Sequence, residues 1–102
     1  MKKINKQYID KDIDFDAYLK EELKDPKFKQ YYDEYGKQLE IAYTILQLRK
    51  KEGISQAELA KKIGTKQSNV ARIEAGEQNL TTEMLQKIAT ALNRSLKIEF
   101  AK

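Results

Sequence analysis

The chain has 102 residues, 35% of them charged, with a net charge of +4 and with neither Cys nor His. That length holds one small domain with at most an appendage. The missing residue types exclude disulfides, thiolate chemistry, His-based metal sites and His general-base catalysis, and they suit a reducing compartment.

The start, MKKINKQYIDKDIDF, carries lysines but no apolar h-region and does not read as a signal peptide. The most apolar stretch, IAYTILQL at 41–48, is far short of the ~20 residues a membrane helix needs. A soluble, cytoplasmic protein with no membrane contact is expected. Charge is unevenly spread. Asp10 to Glu34 holds nine acids against five lysines, a balance of −4; Arg49 to Arg72 holds seven basic residues against Glu52 and Glu58, a balance of +5. Such asymmetry suggests a different partner for each part.

Residues 1–13 are polar without a sustained period and are expected to form a flexible arm. Next, Phe15, Tyr18, Leu19 and Leu23 recur at three- and four-residue steps, predicting an amphipathic helix with Asp14 as its N-cap. Asp25-Pro26 ends it and opens another, because Pro suits only a helix's first turn. From Pro26 to about Lys51, Phe28, Tyr32, Tyr35, Leu39, Ala42 and Leu46 form one apolar stripe, widened by Ile41, Ile45 and Leu48. Gly36 is a candidate bend, costing about 1 kcal/mol relative to Ala, and Gly53 supplies the stop. Residues 14–52 thus read as an N-terminal helical region.

Residues 53–94 read as three short helices. Ser55 to Glu58 matches a capping box, followed by Leu59, Ala60 and Ile63 facing inward. Gly64-Thr65 makes a tight turn and the next cap. Val70 and Ile73 then form the narrow inner face of a helix otherwise covered by Gln67, Ser68, Asn69 and Arg72. After Gly76, Thr81 or Thr82 caps a last helix with Leu85, Ile88, Ala89 and Leu92 inside. In residues 95–102, Leu96, Ile98 and Phe100 alternate with polar neighbours, which predicts a short β-strand. A lone strand needs another chain to pair with. The predicted fold is all-α with five helices: an N-terminal hairpin, a three-helix bundle and this C-terminal strand.

The run ISQAELAKKIGTKQSNVARIEAGEQNLTTEMLQKIATAL resembles the helix-turn-helix of the Cro/C1 (XRE-type) repressors. Gln56, Leu59-Ala60, Gly64, Val70, Ile73, Glu74, Gly76, and the Leu85, Ile88, Ala89 and Leu92 helix carry the likeness. Leu80 departs from it, since many members have Pro there. The resemblance implies that Gln67, Ser68 and Arg72 face base edges. Gln suits adenine and Arg suits guanine, and each bidentate contact is worth roughly 1–3 kcal/mol of discrimination. Gln56, at a helix N-terminus, suits a phosphate. Thr65 and Lys66 are placed for backbone contacts, and Asn69 completes the DNA-binding set. Arg49, Lys50, Lys51, Lys61, Lys62 and Lys66 supply the surrounding positive charge. Operator double-stranded DNA is the implied partner. A homodimer is expected, because each unit reads one half-site, with Leu96, Ile98 and Phe100 as its contact.

The N-terminal region, with Phe15-x-x-Tyr18-Leu19, Leu23-x-Asp25-Pro26-x-Phe28 and the Leu-Lys-Ile-Glu-Phe tail, resembles the HigA-type antitoxins of type II toxin–antitoxin pairs. That likeness implies neutralisation of a small basic RelE-like ribonuclease and repression of the pair's own operon. Asp12, Asp14, Asp16, Glu21, Glu22 and Asp25 offer carboxylates to such a partner. Six of the chain's nine aromatics lie between Phe15 and Tyr35. Phe15, Tyr18, Leu19, Glu22, Leu23, Phe28, Tyr31, Tyr32 and Tyr35 form the candidate toxin contact. Packing within the hairpin is the competing role for the aromatics. The alternative function is a stand-alone helix-turn-helix repressor whose N-terminal segment dimerises or binds an effector. Neither a nucleophile–base pair, a metal-ligand cluster nor a phosphate-binding glycine loop is recognisable, so no catalysis, metal or cofactor is expected.

Overall fold

A computed structural model of the protein describes residues 15–102. The predicted arm (1–13) and the Asp14 cap lie outside the described residues, as does the side chain of Phe15. Five helices follow in order: α1 (Phe15–Glu22), α2 (Pro26–Lys51), α3 (Gln56–Ile63), α4 (Gln67–Glu74) and α5 (Thr82–Ala91).

Local chemistry sets most of the boundaries. Asp25 caps α2, its side chain accepting from the Lys27 N–H at 2.9 Å, with Pro26 in the first turn. Ser55 Oγ accepts from the Glu58 N–H at 3.0 Å while Glu58 Oε1 accepts from the Ser55 N–H at 3.1 Å, the full capping box. Thr81, not Thr82, caps α5 by accepting from the Met84 N–H. The helix ends share one solution. After α3 the Thr65 N–H reaches the Ala60 carbonyl, after α4 the Glu77 N–H reaches Arg72, and after α5 the Arg94 N–H reaches Ala89. In each, a residue at positive φ turns the chain back onto orphan carbonyls; after α5 that residue is Asn93.

The core gathers around α3 and α4. Leu59, Ala60, Ile63, Val70, Ile73, Ile88 and Leu92 are buried together, joined by Ile45 and Leu48 from α2. Leu85, expected inside, is only half-buried. On α2 the buried set is Leu39, Ala42, Ile45 and Leu48. Leu46 is half-buried and Tyr35 exposed, so the predicted stripe drifts off the core at both places. At Tyr35 the cause is a break. Tyr35 leaves helical geometry at φ −124° and ψ 25°, one residue before Gly36, and the two halves of α2 present different faces.

The predicted C-terminal strand is not formed. Residues 94–102 belong to no helix, strand or turn. The physical reason is the one that applies to any lone strand: its amides and carbonyls need a neighbouring strand, and the described residues contain none. No helix among the described residues is long and apolar enough to cross a membrane.

Candidate nucleic-acid interface

Val70 and Ile73 pin α4 by its inner face, so the opposite face turns outward. Lys66, Gln67, Ser68 and Arg72 are exposed there, and Ser68 and Arg72 share one face at i, i+4. No side chain caps α4 at Lys66. The first-turn amides and the positive end of the helix dipole therefore face outward beside the Lys66 ammonium. The turn from α3 into α4 spans only Gly64–Lys66. Gly64 makes it possible by taking φ +75°, a conformation a side chain would strain.

Asn69 has a different place. Its Nδ2 donates to Thr65 Oγ1 at 2.9 Å, and its Oδ1 accepts from Gln78 Nε2. All three residues are half-buried, so Asn69 and Thr65 brace the start of α4 against the following loop. Gln78 was not anticipated from the sequence, because nothing in its local pattern points back nine residues to Asn69.

A second unanticipated feature lies behind α4. Glu74 accepts from Arg49 Nε at 2.6 Å and from Arg49 Nη2 at 3.1 Å, and Arg49 Nη1 donates to the Ile54 carbonyl at 2.8 Å. The side chains are 11% and 4% exposed, so this is a largely buried bidentate pair. Gln56 Nε2 adds a third bond to Glu74 Oε1 at 3.0 Å. One expectation changes accordingly. Arg49 leaves the outer basic cluster, whose exposed members are Lys50, Lys51, Lys61, Lys62 and Lys66. The Gln56 side chain ties α3 to α4.

The N-terminal helices are largely engaged inside the molecule. Leu19 is fully buried. Tyr18 stacks on Tyr43 with centroids 4.7 Å apart and meets Phe28 edge-on at 6.4 Å. Burial then raises the Tyr18 hydroxyl above the usual tyrosine range, with Glu22 adding to the effect. Tyr31 packs on Tyr35 and donates its hydroxyl to the Gly76 carbonyl at 2.5 Å. Tyr32 lies against Gly36, where a Cβ would come within 3.2 Å of its ring. Leu23, Glu22, Phe28 and Tyr32 are half-buried, and Tyr35 is exposed. Among the described residues no group of His, Cys, Asp or Glu is arranged to hold a metal ion.

Comparison with known proteins agrees with this geometry. Residues 45–98, just over half of the chain, match the helix-turn-helix family model. Among solved structures, the chain is similar to the restriction-modification controller protein C.AhdI from Aeromonas hydrophila. The identity is 32%, the TM-score 0.58, and the match covers 62% of this chain and 91% of that one. No curated protein matches. The matched segment contains every residue of the α3–turn–α4 surface, and the chain belongs to the Cro/C1-type helix-turn-helix family.

Proposed function

We propose that the protein is a transcription regulator that binds operator DNA as a dimer, with α4 in the major groove of each half-site. The observation that carries this is one helix with two committed faces. Val70 and Ile73 are locked in the core, and Gln67, Ser68 and Arg72 are exposed on the other side. Major-groove edges offer donors and acceptors that these side chains can match. The uncapped start of α4, the Gln56 and Ala57 amides at the start of α3 and Lys66 suit the flanking phosphates. The likeness to a controller protein supports regulation as the purpose of binding.

Selection of duplexes from a randomised pool by the full chain tests this. A two-fold related pair of short motifs is the expected result. Enrichment of no sequence over background would refute base readout.

The antitoxin reading is a second one, and one observation favours it: Glu21, Asp33, Glu34 and Tyr35 remain exposed on the N-terminal helices. In this reading those helices hold a small basic ribonuclease of the RelE-like kind, and the protein represses the operon that encodes both. Against it, Tyr18, Leu19 and Tyr31 are already used to dock α1 and α2. Co-purification of the full chain from its native host decides between them. A small basic protein retained in equal amount establishes the antitoxin; DNA binding with no retained protein leaves the stand-alone regulator.

A further inference from the structure

The carbonyl of Gly76 is the meeting point of two side chains from far along the chain. Tyr31 donates its hydroxyl to that oxygen at 2.5 Å and Gln38 donates its Nε2 at 3.4 Å, from positions on either side of the break at Tyr35. The Tyr31 ring rests on Tyr35 itself, with centroids 4.8 Å apart. Gly76 is buried, and a buried carbonyl that loses its donors is costly. The same peptide unit acts on α4. Its oxygen belongs to Gly76 and its N–H to Glu77, and one rigid plane carries both. The Glu77 N–H donates to the Arg72 carbonyl at 3.0 Å, and the Gly76 N–H to the Ile73 carbonyl at 3.0 Å. A hydrogen-bonded chain thus runs from the Tyr31 hydroxyl through one peptide to the backbone of Arg72, and bonds in such a chain polarise one another. Two residues on, Gln78 donates to Asn69 in the first turn of α4, and Asn69 donates to Thr65. The loop 76–78 is therefore strapped to both ends of α4, and α2 holds the strap. A helix of eight residues has little stability of its own, so such outside bonds and its core face set its angle.

We propose that Tyr31 and Gln38 are positioning residues for base readout, fixing through the Gly76–Glu77 peptide the angle at which α4 presents Arg72. This rests on the reading of DNA by α4 proposed above and adds a control on it by the N-terminal helices. Whatever draws Tyr31 off Gly76 weakens the operator complex, and by reciprocity the operator holds Tyr31 in place by the same factor. A merely structural bond differs in its consequence. It would change how much of the chain is folded and leave the folded chain's base preference as it is.

Tyr31→Phe removes the hydroxyl and keeps a ring to rest on Tyr35. The full chain and this variant are titrated onto the selected duplex and its single-base variants, at a temperature where circular dichroism shows each fully folded. Tyr31→Phe is expected to weaken the selected duplex about fivefold, the worth of one net hydrogen bond, with the loss centred on the base pair that Arg72 reads. In the Arg72→Ala background the same change is expected to cost nothing further, since no contact is then left to position. Gln38→Met, which removes the longer bond, is expected to follow the same pattern more weakly. Equal loss with and without Arg72, or no loss in folded Tyr31→Phe, overturns the positioning role and leaves base readout intact. An unmodified chain that prefers no sequence overturns base readout, and the positioning role falls with it.

Discussion

Arg72 and Lys66 are both exposed and cationic, yet their loss should be read differently in a binding curve. Arg72 projects from the outer face of α4, and in the proposed complex its guanidinium would meet a guanine edge in two bonds. Arg72→Ala should therefore cost about 1–3 kcal/mol on the preferred duplex and relax preference at one base position, measured on single-base variants. Lys66 stands at the start of α4, where the proposed complex would bring the DNA backbone. Lys66→Ala should weaken all duplexes alike and lower the slope of log K against log salt by about one. Equal losses on every base variant with Arg72→Ala would remove it from base readout. Glu74 acts from behind the surface. Glu74→Ala strands the Arg49 guanidinium at 11% exposure and should cost about 3–5 kcal/mol in urea unfolding. The double change Arg49→Met, Glu74→Leu should recover most of that loss, because breaking a buried pair is worse than replacing it.

At the scale of elements, the contact between α2 and the end of α4 is the least expected joint. Gly76 receives hydrogen bonds from Tyr31 at 2.5 Å and from Gln38 at 3.4 Å, so the N-terminal half of α2 is moored to the turn that closes the recognition helix. A Cβ on Gly76 would lie 2.7 Å from Leu39 Cδ2, and the residue has φ +75°. Gly76→Ala should then cost more than the roughly 1–2 kcal/mol of left-handed backbone alone, because Leu39 must also move. Gly64 is the control: it has the same φ, and a Cβ there would meet nothing within 4 Å. Gly64→Ala should show only the backbone cost. Equal Tm losses for the two variants would mean that the α2 contact adds nothing.

Across the whole molecule, the end of α2 is tied to the end of α5. Glu52 accepts from Asn93 Nδ2 at 2.9 Å and from Arg94 Nη1 at 3.3 Å, joining segments forty-odd residues apart. The Asn93 bond, with the Arg94 charge, holds the Glu52 carboxyl below its ordinary 4.5. A carboxylate lowered in the folded state adds stability above its unfolded value and loses it as the pH falls through the folded one. Melting of the unmodified chain should therefore drop in acid below the usual glutamate range. Glu52→Gln should start lower at neutral pH and lose less on acidification. Parallel acid profiles for the two would show that Glu52 carries no such linkage.

The sequence by itself determined the features that depend on near neighbours. Ser55 with Glu58, Asp25 with Pro26 and Gly64 at its turn set helix boundaries through bonds spanning two to five residues. The spacing of Val70 and Ile73 set which face of α4 is presented. Tertiary structure alone decided where long-range partners go. It placed Arg49 on Glu74, twenty-five residues away, Tyr31 on Gly76, forty-five away, and Tyr18 on Tyr43. It also moved the break in α2 to Tyr35 and left SLKIEF without a strand to pair with. A helix period specifies a direction around an axis; which aromatic or charge waits in that direction is fixed by how the helices pack.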